Sequence, residues 1–180
     1  MQSPQISEEE RVLGVRQEVT RRIKVLGEQG RTREAIEELA GLAKVGVQPD
    51  TLAGTALVKA CCRDMALAQS VFDELFAEFL TPDEVSFVVL LRGYGGKTPP
   101  EWSKVDSTLT IMETQFGVVP TAISFNALLE ICCRTNDLER GQDVIDRMIS
   151  NGVVPDEFTE QIVAKKRALR SYLKKSLDVA

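Results

Sequence analysis

The feature that most restricts the fold is a gapless internal repeat. "GVQPDTLAGTALVKACCR" (Gly46–Arg63) lies over "GVVPTAISFNALLEICCR" (Gly117–Arg134) at an offset of 71 residues. Gly, Val, Pro, an Ala-Leu pair, two cysteines and an arginine coincide. Between these copies stands "LTPDEVSFVVLLRGYGG" (Leu80–Gly96), and after them "GVVPDEFTEQIV" (Gly152–Val163). Pro49, Pro82, Pro120 and Pro155 mark the beat at intervals of 33, 38 and 35 residues, so 71 is two periods of about 35. A period of that size signals stacked supersecondary units.

Each unit reads as two helices. In the clearest copy Ala122, Phe125, Leu128, Leu129 and Cys132 form an apolar stripe at helical spacing. The polar turn "RTND" follows, then an amphipathic helix over Leu138–Ser150 with Val144, Ile145 and Met148 inward. Gly152 is placed to end it and Pro155 to block extension. Ala35, Ile36, Leu39 and Leu42 repeat the stripe upstream, and "SEEE" (Ser7–Glu10) is a capping box opening the first helix. In the third unit "GGKTPPEW" lengthens the turn and puts Trp102 at the start of the second helix, packed inward. Residues 157–177 read as one long helix capping the array. The expectation is an all-α, right-handed α-solenoid of about four helix-turn-helix repeats plus a C-terminal capping helix, because one helix pair cannot bury its own apolar face. The repeats run at about 16–50, 51–83, 84–121 and 122–156 within a single domain of 1–180, with a basic helix over 157–180.

The four cysteines are Cys61, Cys62, Cys132 and Cys133. Neighbours on a helix point roughly 100° apart, so a CC pair does not converge on one ion. Both pairs end apolar runs and read as packing rather than as a metal or redox site. The chain has no histidine, which removes the commonest acid–base catalyst and metal ligand. No catalytic residue, metal or cofactor is expected, and the chain reads as a non-enzyme.

Charge is unevenly placed. Residues 161–180 hold six Lys/Arg against Asp178, whereas residues 1–160 hold 16 Lys/Arg against 26 Asp/Glu. An acidic body does not attract polyanions by its bulk field. Nucleic-acid contact must come from a local stripe or from the basic end. No stretch approaches the roughly 20 apolar residues of a membrane helix. The opening "MQSPQISEEE" is neither a signal peptide nor an Arg-rich transit peptide, so any presequence is expected to be absent from this chain.

With its 35-residue helix–turn–helix unit, its "GVVPD" ending and the stretch "ISFNALLEICCRTNDLERGQDVIDRMISNGVVPD", the chain resembles the pentatricopeptide repeat family. The Trp and Leu-Gly of a tetratricopeptide first helix are absent. The resemblance implies single-stranded RNA as the ligand, about one base per repeat. It implies base-reading pairs at Thr20/Asp50, Thr55/Asp83, Val88/Thr121 and Asn126/Asp156. Thr with Asp resembles a guanine-reading pair and Asn with Asp a uracil-reading pair, while Val88 cannot hydrogen-bond a base edge. Leu52, Val85 and Ile123 would sandwich bases, and Arg63 and Arg134 would contact phosphate. Asp50, Asp83 and Asp156 also stand where helix N-caps stand, a role compatible with reading. Arg63 and Arg134 read equally as solvated turn residues.

Two functions follow from this resemblance. One is RNA binding in plastid or mitochondrial RNA metabolism, whether processing, splicing, stability or translation, with plastid first. The other is a protein scaffold in an organellar ribonucleoprotein or transcription complex, favoured by the acidic body and by Val88. At most three units can read a base, so a protein partner or a homodimer is expected to help.

Overall fold

A computed structural model of the chain describes residues 7–179. Among these there are ten helices and no strand. The helices are α1 (Glu8–Glu28), α2 (Thr32–Lys44), α3 (Thr51–Cys61), α4 (Met65–Glu78), α5 (Glu84–Gly95), α6 (Trp102–Thr114), α7 (Ala122–Thr135), α8 (Leu138–Ser150), α9 (Glu157–Ala164) and α10 (Arg167–Val179). No helix among the described residues is long and apolar enough to cross a membrane.

Local chemistry sets the ends. The Ser7 hydroxyl accepts from the Glu10 amide at 3.1 Å, and Glu10 returns a bond to the Ser7 amide at 2.9 Å. Asp50, Asp64, Asp137 and Asp156 cap α3, α4, α8 and α9 with their side chains, and Thr121 caps α7. The "GVVP" run ends helices. At Gly152 the backbone turns left-handed (φ +69), which lets Val153 N–H reach back to the Met148 carbonyl at 3.0 Å. The proline then blocks any further turn, and the residue behind it caps the next helix.

The chain forms two compact units, divided after Ser86. In the first, α1 packs on α2 and α3, and α3 on α4. Its core includes Ile23, Leu42, Leu57, Val58 and the ring pair Phe72–Phe76, with centroids 4.8 Å apart. In the second, α7 packs on α8 and α9, and α10 on α8 and α9. Its core includes Leu91, Met112, Phe125, Leu129, Ile145, Met148 and Leu169. Each such side chain contributes about 1.5–3 kcal/mol when fully buried. First helices are covered on several sides, so α7 buries Ser124 to Leu129 without interruption. The second helices meet fewer neighbours and stay amphipathic, as α8 shows with Gly141, Val144, Ile145 and Met148 inward.

The expected single helix over 157–177 is divided. α9 stops at Ala164, Lys165 and Lys166 make a turn, and α10 runs back against α8 and α9. The reversal buries Leu169 beside Gly141 and Leu173 with it. The C-terminal cap is therefore a fifth helix pair. Trp102 does open α6 but is only half-buried, with the Arg140 guanidinium stacked 4.1 Å from its ring.

Candidate nucleic-acid interface

Asn126 and Asp156, an expected base-reading pair, meet between α7 and α9 in the second unit. Asn126 on α7 is 6% exposed, and its Nδ2 donates to Asp156 Oδ1 at 3.0 Å. Asp156 caps α9 by accepting from the Thr159 amide at 2.8 Å. That amide, and then Asn126, hold its carboxyl below the ordinary value, with burial opposing. The Thr159 hydroxyl donates to Asn126 Oδ1 at 2.7 Å and accepts from Asp156 N–H at 3.0 Å. Asn126 keeps one N–H and one lone pair for a ligand, and the carboxylate keeps lone pairs beyond those that meet Thr159, Asn126 and the Phe158 amide.

A cleft of about 420 Å³ opens over this pair. Ile123 and Phe158 flank it, and Gln161 and Lys165 complete its rim. Both apolar side chains are exposed, Ile123 at 46% and Phe158 at 67%. Phe158 was not among the expected sandwiching residues. It is the second residue of α9 as Ile123 is of α7, and "GVVPDEF" against "GVVPTAI" carries that equivalence. Leu52 and Val85 hold the same place on α3 and α5 and are likewise exposed.

The first unit holds a second such assembly. Thr55 is buried on α3, and its hydroxyl lies 2.7 Å from that of Ser86. Ser86 donates to Asp83 Oδ1 at 2.8 Å, and its own amide donates to the same oxygen at 2.9 Å. The other positions differ. The Thr20 hydroxyl turns back onto the Arg16 carbonyl at 2.9 Å, and Asp50 caps Ala53 at 2.9 Å. Val88 is 2% exposed and Thr121 caps α7.

The arginines after the cysteines have a common task. Arg63 donates to the Glu28 carbonyl at 3.3 Å and lies against Gly30, at the end of α1. Arg134 donates to the Gly95 carbonyl, at the end of α5. Each thus caps the C-terminus of an earlier first helix, where carbonyls lack partners and the dipole favours a cation. They are bonded residues rather than solvated turns, although a guanidinium retains further N–H groups.

In each unit other side chains, cationic except for Glu130, stand one helical turn further along. Four residues beyond the reader, one helical turn along, come Lys24, Lys59, Arg92, Glu130 and Lys165, all exposed. Lys24 and Lys59 line a cleft of about 310 Å³ between α1 and α3. Arg92 is ion-paired with Glu130 at 3.1 Å. The ninth residue of each unit was the signal for this row in the sequence.

The cysteines lie in the packing. Cys61, Cys132 and Cys133 are buried and Cys62 half-buried. Burial pushes the Cys61 and Cys62 thiols up to about 11 and that of Cys132 up to about 12. Thiols held this high stay protonated and inert at neutral pH.

Residues 120–166 match the PPR repeat family. A chloroplastic pentatricopeptide repeat-containing protein of Arabidopsis thaliana is 26% identical over 116 residues, 63% of this chain and 15% of its own length. A mitochondrial 15S rRNA processing factor of Vanderwaltozyma polyspora is 26% identical over 94 residues, 51% of this chain and 10% of its own length. The chain thus spans a small part of these relatives. The crystal structure of the pentatricopeptide repeat protein PPR10 in complex with an 18-nt psaJ RNA element superposes with a TM-score of 0.69. That likeness covers 89% of this chain and 23% of the other at 22% identity. Residues 120–166 thus carry a PPR repeat match, and in sequence and fold the chain is similar to pentatricopeptide repeat proteins.

Proposed function

We propose that this chain binds single-stranded RNA, without catalysis, as part of organellar RNA metabolism. The observation that carries this reading is the Asn126–Asp156 cleft. It joins a polar floor, with a donor and two acceptors left open, to two exposed apolar walls and a lysine. A flat base with a polar edge has that shape and chemistry, and it stacks on Phe158 while its edge meets Asn126. The Thr55–Asp83 assembly is the second reader. Lys24, Lys59 and Lys165 face the backbone phosphates, and Arg63 and Arg134 serve the helix ends first. A chloroplastic relative favours the plastid, and a mitochondrial one makes that organelle the alternative. Few units read bases, so a partner or a second copy raises the affinity by linkage.

Fluorescence anisotropy with labelled 12-nucleotide RNAs at moderate salt tests the proposal. Binding of uridine- and guanosine-containing oligomers in the micromolar range, weakened by Asn126→Ala, is the expected result. Absence of binding up to about 100 μM, on the order of the weakest non-specific nucleic-acid affinities, refutes it. The second reading is a protein scaffold, supported by the acidic body and by the buried Val88 at a reader position. Partners retained from organelle extract after nuclease treatment would favour the scaffold.

A further inference from the structure

The two assembled readers share a part that no reading of Thr55 or Asn126 alone contains. In each, a hydroxyl from the third residue of the following first helix touches the reader: Ser86 on α5 touches Thr55, and Thr159 on α9 touches Asn126. In each, the capping aspartate holds that hydroxyl, Asp83 at 2.8 Å and Asp156 at 2.9 Å. The first unit supplies the contrast. Ala53 occupies the third position of α3, where there is no hydroxyl, and Thr20 bonds its own helix instead. Thr55 and Asn126 each bond a hydroxyl of the following first helix, whereas Thr20 does not.

Resting on the RNA-binding reading, we propose that Ser86 and Thr159 are positioning residues that set the base preference of the preceding unit. The argument is one of proton counting. A carboxylate only accepts, and among the described residues Asp83 Oδ1 has just the Ser86 amide as another donor, so the Ser86 hydroxyl gives its proton there. Thr55 then gives its proton to Ser86, and only lone pairs remain for a ligand. An acceptor-only surface suits the N1–H and N2–H groups of guanine and opposes the N1 acceptor of adenine. At the other site Asp156 Oδ1 already accepts from the Thr159 amide and from Nδ2 of Asn126, so the single Thr159 hydroxyl proton goes to Oδ1 of Asn126. A flipped amide would set its oxygen 3.0 Å from Asp156 Oδ1, acceptor against acceptor. The amide is held in one orientation, with its remaining donor and acceptor in a fixed order. That order suits the N3–H and carbonyl edge of uracil and opposes the reversed edge of cytosine. Thr159 itself touches no base, since it is fully buried.

The test uses the whole chain and adenosine 12-mers with a single central substitution. The wild type is expected to prefer uridine over cytidine, and guanosine over adenosine, by about threefold to tenfold, the worth of one hydrogen bond. Thr159→Val brings the uridine preference below about twofold and leaves the guanosine preference intact, while Thr159→Ser restores it. Ser86→Ala does the converse. A merely structural role would move both preferences together. The Asn126 side-chain amide protons give a readout without RNA: their resonances shift and exchange faster in Thr159→Val. An unchanged uridine preference or an unchanged Asn126 amide in Thr159→Val overturns the inference. A wild type that binds no oligomer removes the RNA-binding reading instead, while the amide resonances still decide whether Thr159 holds Asn126.

Discussion

Asp156 gathers several donors on its carboxylate, the Phe158 amide among them. Oδ1 accepts from the Thr159 amide and from Asn126, and the Thr159 hydroxyl lies beside it. The contacts favour the charged form, so the folded state holds the carboxyl below its ordinary 3.8. Its contribution is therefore complete above about pH 4 and is lost as pH falls through the depressed folded value. Asp156→Asn keeps some capping ability but loses the charge, and is expected to cost about 1 kcal/mol at neutral pH. Urea midpoints for wild type and variant should converge as pH drops from 5 to 2. A gap of constant size would mean that the charge of Asp156 does not contribute. Asp50 and Asp83 cap helices in the same way.

At the scale of the element, close approach matters more than propensity. A Cβ on Gly27 would stand 2.7 Å from Ala60 Cβ and 3.0 Å from its Cα. Backbone cannot swing aside, so α1 and α3 would have to separate. A Cβ on Gly141 would meet only the end of Leu169, at 2.8 Å. That leucine can change rotamer. Gly27→Ala is expected to destabilise by about 1–3 kcal/mol and Gly141→Ala by less, measured by urea denaturation. Equal costs would show that α8 and α10 pack as rigidly as α1 and α3. Helix starts were readable because capping is local, as at Ser7 and Asp156. The division between α9 and α10 was not. Thr159, Ile162, Val163, Leu169 and Leu173 keep one unbroken helical stripe through Lys165 and Lys166. Only contact with α8 makes the chain turn there.

For the whole molecule, the issue is how an acidic chain meets a polyanion. The net charge is −5, yet of the five exposed ninth positions counted from the unit starts one carries Glu130 and four carry a cation, Lys24, Lys59, Arg92 and Lys165. Binding through them should weaken with salt, each phosphate contact adding about 0.7 to the slope of log affinity against log salt for a single strand. Lys59→Gln and Lys165→Gln are each expected to lower the slope by about that amount without changing base preference. Arg63→Gln should instead lower stability, because it uncaps α1. Measured slopes that respond to Arg63 and ignore the lysines would reverse this assignment.

The sequence by itself determined the period and the two helices of each unit. These depend on spacing along the chain: glycine and proline at unit ends, aspartate at helix starts, apolar residues on one stripe. The exposure of Leu52, Val85 and Ile123 followed from the same register, as did the burial of the cysteines. What only the tertiary structure decided is which groups meet. Ser86 and Thr159 sit beyond the units whose readers they touch, and Arg63 and Arg134 reach back to earlier helices. The reason is physical: a hydrogen bond needs its partners within about 3 Å, and residues some 30 positions apart in the chain come that close only through tertiary packing, as where α1 meets α3 and α7 meets α9.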